Sequence, residues 1–170
     1  LEWQISTHNT DDLNEIISLK TSNLIIDENK IFFSNNKNVF YSLDLNTGNI
    51  NWKQNISSSV KPAVIGDLLF TISDNGYLFL IDKNRGNIVR INDIFKNFKP
   101  KVKKNLLPTG FILDAKSLYV STNFGKLLIV NIENASTKEI FKIGKGKLSR
   151  PFVKNQNLFL IKDNAIIKLN

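Results

Sequence analysis

Residues 38–52 read NVFYSLDLNTGNINW, residues 76–90 read GYLFLIDKNRGNIVR, and residues 125–131 read GKLLIVN. Aligned on Asn38, Gly76 and Gly125, they place Asp44, Asp82 and Asn131 in register. A fourth copy, NAIIKLN from Asn164 to Asn170, fits the same frame. The four anchors are 38, 49 and 39 residues apart. A period of about 40 residues with strand-like content is the signature of a β-propeller, in which each copy is one sheet stacked on its neighbours.

The clearest copy decomposes into four strands. Lys61 to Ile65 is the first, with Pro62 near its start, where a missing donor is tolerated. Gly66-Asp67 turns into a second strand, Leu68 to Ser73. Asp74-Asn75-Gly76 turns into a third, Tyr77 to Ile81, the Asn-Gly pair supplying positive φ. Asp82 to Gly86 turns into a fourth, Asn87 to Ile91. Four antiparallel strands joined by short turns make one blade. The other copies predict strands at Lys30–Ser34, Val39–Leu43 and Asn49–Gln54, then Ser117–Ser121 and Lys126–Val130, then Arg150–Val153, Asn157–Ile161 and Ala165–Leu169. The blades fall at about residues 21–56, 60–91, 107–143 and 148–170. The third copy's last turn, Asn131 to Lys138, reads as longer, its glycine lost.

Leu1 to Ile5 looks like a fourth strand, with Trp3 set as Trp52 is set in Asn51-Trp52-Lys53-Gln54. The chain then begins on a fourth strand and ends on a third. Either the ends pair and close a four-bladed ring, or this is half of a larger ring. The half ring is the preferred reading, because the chain contains no methionine and so reads as a processed product or a piece of a longer protein. A half ring would expose two apolar blade faces and pair with another chain or copy. The whole is one propeller domain or fragment.

Leu43 to Trp52, LDLNTGNINW, resembles the repeat of the PQQ-like β-propeller family, roughly Ala-x-Asp-x-x-Thr-Gly-x-x-x-Trp. Asp44, Thr47, Gly48 and Trp52 match. In the next copy Asp82 and Gly86 match, while Arg85 and Arg90 replace Thr and Trp. In the third, Asn131 replaces Asp and the rest is lost. The motif has structural work to do. Asp44 is placed to accept bonds from the turn's amides, Gly48 to take the left-handed conformation, and Trp52 to lie on the next blade.

A quinoprotein dehydrogenase of this family would need a Ca²⁺ held by carboxylates, a catalytic Asp and an aromatic floor, and many members carry a vicinal cysteine pair. This chain has no cysteine, which also removes disulfides and thiolate metal sites. Its acids scatter through turns. Neither Asp11-Asp12 nor Asp27-Glu28 has the spacing of a Ca²⁺ loop. His8 is the only histidine and reads as a surface loop residue. There is no nucleophile elbow, phosphate loop or dinucleotide fingerprint. Gly144 to Lys147 reads as a linker between blades. No catalytic residue, cofactor or metal site is expected.

At 42% apolar and 22% charged, the 170 residues read as an ordinary soluble globular chain. No apolar run approaches the ~20 residues that span a bilayer, and no signal peptide or lipid-attachment cysteine is visible. The net charge is +8, from 20 Lys and only 3 Arg on the basic side. With 24 Asn and 22 Ile, this suggests an AT-rich coding genome. Arginine, favoured for bidentate phosphate recognition, is almost absent, so nucleic acid is not the expected partner.

One segment breaks the repeat: Asp93 to Leu107, DIFKNFKPKVKKNLL. Lys96, Lys99, Lys101, Lys103 and Lys104 interleave with Phe95, Phe98 and Val102. Loops that interrupt a scaffold commonly carry binding. Lys96, Phe98, Lys99, Lys101, Lys103 and Lys104 are the candidate docking residues, for an acidic protein surface or an anionic lipid face. The alternative is a solvated linker with its aromatics tucked against a blade.

Among PQQ-like propellers without catalytic equipment, the chain is most similar to the outer-membrane protein assembly lipoproteins, the B subunits of the β-barrel assembly (BAM) complex. That resemblance implies a non-catalytic interaction scaffold in the periplasm, facing the outer membrane. Its partner would be the periplasmic part of the barrel-forming subunit. The alternatives are a fragment of a quinoprotein dehydrogenase and a ligand-sensing propeller domain of a larger receptor.

Overall fold

Four antiparallel sheets follow one another along the chain in the computed structural model, which describes residues 2–4, 21–35 and 38–169. The first is β1 (Ile25–Asp27), β2 (Lys30–Ser34), β3 (Phe40–Asp44) and β4 (Ile50–Gln54). The second is β5 (Ala63–Ile65), β6 (Leu68–Ile72), β7 (Tyr77–Asp82) and β8 (Ile88–Asp93). One helical turn, α1 (Pro100–Lys103), precedes the third: β9 (Pro108–Leu113), β10 (Ser117–Thr122), β11 (Lys126–Asn131) and β12 (Thr137–Lys142). The fourth holds β13 (Phe152–Lys154), β14 (Asn157–Lys162) and β15 (Ala165–Leu169). In each sheet the strands pair in chain order. This is the blade topology expected of the repeat.

The two-residue period of each inner strand then builds the stack. Leu69 and Ile81 point toward the first sheet and meet Phe32, Phe40, Trp52 and Ile56. Their neighbours Phe70, Ile72, Leu78 and Leu80 point the other way and meet Phe111, Leu118, Val120, Leu128 and Val130 of the third. Leu127 faces on to Leu148, Leu158 and Leu160 of the fourth. Each joint between sheets thus contains an apolar layer contributed by both partners, the arrangement that holds a propeller together.

The outermost faces differ. The free face of the first sheet buries Ile31, Tyr41 and Leu43 with Trp3 packed against them. The free face of the fourth leaves Phe152, Ile161 and Ile166 in solvent. Of the strand expected at Leu1 to Ile5, Glu2 to Gln4 take no strand conformation, and the two flanking residues lie outside the described ones. His8, Asp11, Asp12 and Glu15 lie outside them too.

The frame residues Asn38, Gly76, Gly125 and Asn164 all take positive φ, between 62° and 81°. Each lies in the hairpin between a blade's second and third strands, and in the fourth, a two-residue turn, Asp163 shares the positive φ. Asn75 does not share that conformation, so Gly76 alone supplies it. The turn after β11 corrects the sequence reading. It is not longer: Ala135 stands where Gly48 and Gly86 stand, at φ 54°, and β12 starts two residues on, as β4 and β8 do. Asn131 Oδ1 accepts from the amides of Glu133 (2.7 Å) and Asn134 (3.2 Å), so the turn survives the loss of both signature residues.

Candidate functional site

The repeat motif does one job, and the geometry shows what it is. Asp44 Oδ1 accepts from the amides of Asn46 (3.0 Å) and Thr47 (2.8 Å) and from the Thr47 hydroxyl (3.0 Å). Asp82 Oδ1 accepts from Asn84 N (2.8 Å) and Arg85 N (2.9 Å). These bonds hold both carboxyls below their usual pKa: bonds from Thr47 lead at Asp44, and the Arg85 amide leads at Asp82. The bonded turn presents a bare glycine to the preceding tryptophan. A Cβ on Gly86 would lie 2.6 Å from the Trp52 ring, and one on Gly48 2.5 Å from the Trp3 ring. Each indole also donates to the residue after the aspartate, Trp52 Nε1 to Lys83 O (3.0 Å) and Trp3 Nε1 to Leu45 O (3.1 Å). Trp52 lies parallel to Phe40, with centroids 6.1 Å apart. Trp52, Asp82 and Gly86 therefore act between the first two sheets, while Asp44, Thr47 and Gly48 build the equivalent turn that receives Trp3.

Lys83 adds a clasp that motif reading missed. Its ammonium lies 2.6 Å from Asp27 and 3.4 Å from Glu28 of the first hairpin, and the hydrogen bond to Asp27 raises its pKa. The equivalent joint between the second and third sheets has no tryptophan. Arg90 Nη1 donates to Glu133 O, and Asn92 Nδ2 to Asn134 O (3.3 Å).

The irregular segment is folded onto the sheets. Ile94, Phe95 and Leu106 are fully buried in the layer between the second and third sheets. Phe95 closes over Gly76 and meets Phe98 edge-on, centroids 5.8 Å apart. Lys103 pairs with Asp93, which raises the lysine pKa, and its Nζ sits 5.7 Å from the Tyr77 ring centre. Phe98 and Lys103 thus help seat the segment, while Lys96, Lys99, Lys101 and Lys104 stand exposed.

Two clefts, each about 490 Å³, lie between sheets. One is lined by Tyr119, Ile129, Phe141, Val153, Leu158 and Leu169, the other by Ile65, Leu68, Phe70, Leu113 and Ile132. The sole charged group on either wall is the exposed Asp114. The first cleft also carries the polar groups of Tyr119, Gln156 and Asn157, while the second is apolar apart from Asp114. Among the described residues no three His, Asp or Glu side chains gather as metal ligands. No described helix is long and apolar enough to cross a membrane.

Stacked four-stranded sheets, joined by aspartate-capped turns that receive a tryptophan, define a β-propeller of PQQ-like blades. Known proteins agree. The profile of the family described as "Outer membrane protein assembly factor BamB" matches residues 1–92, more than half of the chain, which therefore belongs to that family. An outer membrane protein assembly factor BamB of Legionella pneumophila (strain Paris) is 26% identical over 108 residues, covering 62% of this chain and 26% of that protein. The chain thus spans about a quarter of that curated relative. The crystal structure of BamB from Moraxella catarrhalis superposes with a TM-score of 0.63 at 15% identity, over 87% of this chain and 45% of that one. The computationally designed Ika4 protein gives a TM-score of 0.68 at 9% identity, over 91% and 93% of the two chains. At such identities the structural likenesses speak for the fold alone.

Proposed function

We propose that this chain is a non-catalytic protein-interaction scaffold in the assembly of outer-membrane β-barrel proteins, working in the periplasm. The observation that carries the proposal is the match to the assembly-factor family over residues 1–92. That stretch contains the intact Asp44-to-Trp52 turn, in which Asp44 Oδ1 and Thr47 bond within the turn and Trp52 Nε1 bonds the neighbouring sheet. A rigid stack with its chemistry committed inward can offer partners only faces, edges and connecting segments. The partner in this reading is the periplasmic part of the barrel-forming subunit.

The test is direct binding of this chain to those periplasmic domains, at low and at moderate salt. Saturable binding is expected. A chain shown to be folded that binds at neither salt would overturn the assembly role.

A further inference from the structure

In a four-stranded meander the first and third turns lie at one end of the sheet. The second turn and the connector to the next sheet lie at the other. This sorts the charges of the chain by end. The connector end holds Lys96, Lys99, Lys101 and Lys104 of the β8–β9 segment and Lys145 and Lys147 of the β12–β13 segment. All six are exposed, and among the described residues none is in an ion pair. The acids described at this end are occupied. Asp74 accepts from the hydroxyls of Ser57 (2.8 Å) and Ser59 (2.7 Å), Asp93 pairs with Lys103, and Asp163 pairs with Lys162. The opposite end is mixed in sign, with Asp67, Asp82, Asp114 and Glu133 beside Arg85 and Lys116.

The basic end is one surface. Asn123, in the β10–β11 hairpin, donates from Nδ2 to Asn105 O (2.9 Å) and accepts from Leu107 N (2.9 Å), which ties the hairpin to the β8–β9 segment. On its other side Gly125 O accepts from Ile143 N (2.9 Å), which ties it to the β12–β13 segment. Apolar tips rise from the same loops: Val102, Leu107 and Phe124 are 37%, 47% and 40% exposed.

We propose that this end is a docking face for an anionic lipid surface. The lysines spread over the headgroup phosphates, and Val102, Leu107 and Phe124 enter the interfacial layer. Charge spread over two segments and three sheets suits a broad, flat, negatively charged surface. Bidentate recognition of carboxylates on an acidic protein is the task of arginine's planar fork, and all six are lysines, which act as point charges. Docked in this way, the mixed end points away from the lipid. The proposal is independent of the assembly role, and either can fail alone.

The experiment is co-sedimentation of the chain with vesicles of phosphatidylcholine alone and of phosphatidylcholine with phosphatidylglycerol, at low and physiological ionic strength. Binding is expected only to the phosphatidylglycerol vesicles, and it weakens with salt. The variant Lys96→Ser/Lys99→Ser/Lys101→Ser/Lys104→Ser, checked for retained strand content by circular dichroism, is expected to bind at least about tenfold more weakly. Phe124→Ser weakens binding without changing its salt dependence. The opposite-end variant Arg85→Ser/Lys116→Ser binds as the parent does. Absence of binding to phosphatidylglycerol vesicles overturns the proposal, as does an equal loss in the opposite-end variant. Soluble polyglutamate serves as a separate probe: its capture without vesicle binding overturns the proposal in favour of an acidic protein.

Discussion

The joint between the first and second sheets and the joint between the second and third are built at equivalent places by different means. At the first, Trp52 comes from the outer strand β4, lies on Gly86 and donates to Lys83 O. At the second, Arg90 takes the tryptophan's place, Ala135 takes the glycine's, and the contact becomes a guanidinium on a backbone carbonyl. The large ring has not vanished from that joint. Phe95, from the connector, fills the layer and covers Gly76. These two joints each hold a buried ring outside the inner strands, supplied in one case by a strand and in the other by an insertion. What looks like decay of the motif in the second copy goes with a ring carried by the connector instead of the strand.

If that is so, the two rings should matter equally. Trp52→Ala and Phe95→Ala are each expected to cost about 3–5 kcal/mol, the range for deleting a buried aromatic. Denaturant unfolding measures both. A Phe95 variant as stable as the parent would mean that the insertion is a solvated linker and the second joint has no anchor.

Next comes the receiving turn. Gly86→Ala forces a side chain to φ 75° and drives its Cβ into Trp52, so a loss of about 2–3 kcal/mol is expected. Ala135→Gly at the equivalent position relieves a positive φ while loosening the unfolded chain, and the two effects leave it within about 1 kcal/mol of the parent. A smaller change is predicted at Arg90, which is exposed. Arg90→Ala should cost no more than about 1 kcal/mol, since the carbonyl it leaves can bond water. A loss as large as that of Trp52→Ala would show that the guanidinium is itself the anchor.

How far the sequence carried these conclusions depended on which signal was local. Strand positions were legible because two-residue alternation between positive-φ turns leaves little freedom of register. β2 and β15 fall where the repeat places them, the other strands it places shift by at most two residues, and β1, β9 and β12 had no strand assigned from the sequence. The motif residues at Asp44 and Trp52 were legible because their work is done by neighbouring backbone. The β11–β12 turn was misread because glycine was taken as its marker. Its asparagine carbonyl does what a carboxylate does, and an alanine tolerates the left-handed turn at modest cost. The Lys83 clasp to Asp27, 56 positions away, leaves no pattern in a single chain. The charge division between ends was hidden too, because Lys145 and Lys147 join the β8–β9 lysines only after the strands have paired. Lysine spacing alone could not separate the four exposed cations of the insertion from Lys103, which is paired with Asp93.

The finest difference between the joints is one of protonation. Asp44 and Asp82 cap their turns with carboxylates held below the usual value of 3.8 by bonds that unfolding removes. The unfolded chain therefore binds more protons than the folded one between the two values. The stabilisation is complete above the unfolded value and is lost as pH falls through the folded one. Asn131 caps the third turn through an oxygen that does not titrate in this range. The joints at Asp44 and Asp82 should thus loosen in acid while the one at Asn131 does not. Replacing Asp44 and Asp82 together by Asn should flatten the acid limb of denaturant midpoint against pH, by lowering the midpoint near neutrality while leaving it little changed in acid. Asn131→Asp should steepen that limb. If the double variant keeps the parent's acid limb, the sensitivity lies in other carboxylates and the caps are equivalent in every copy.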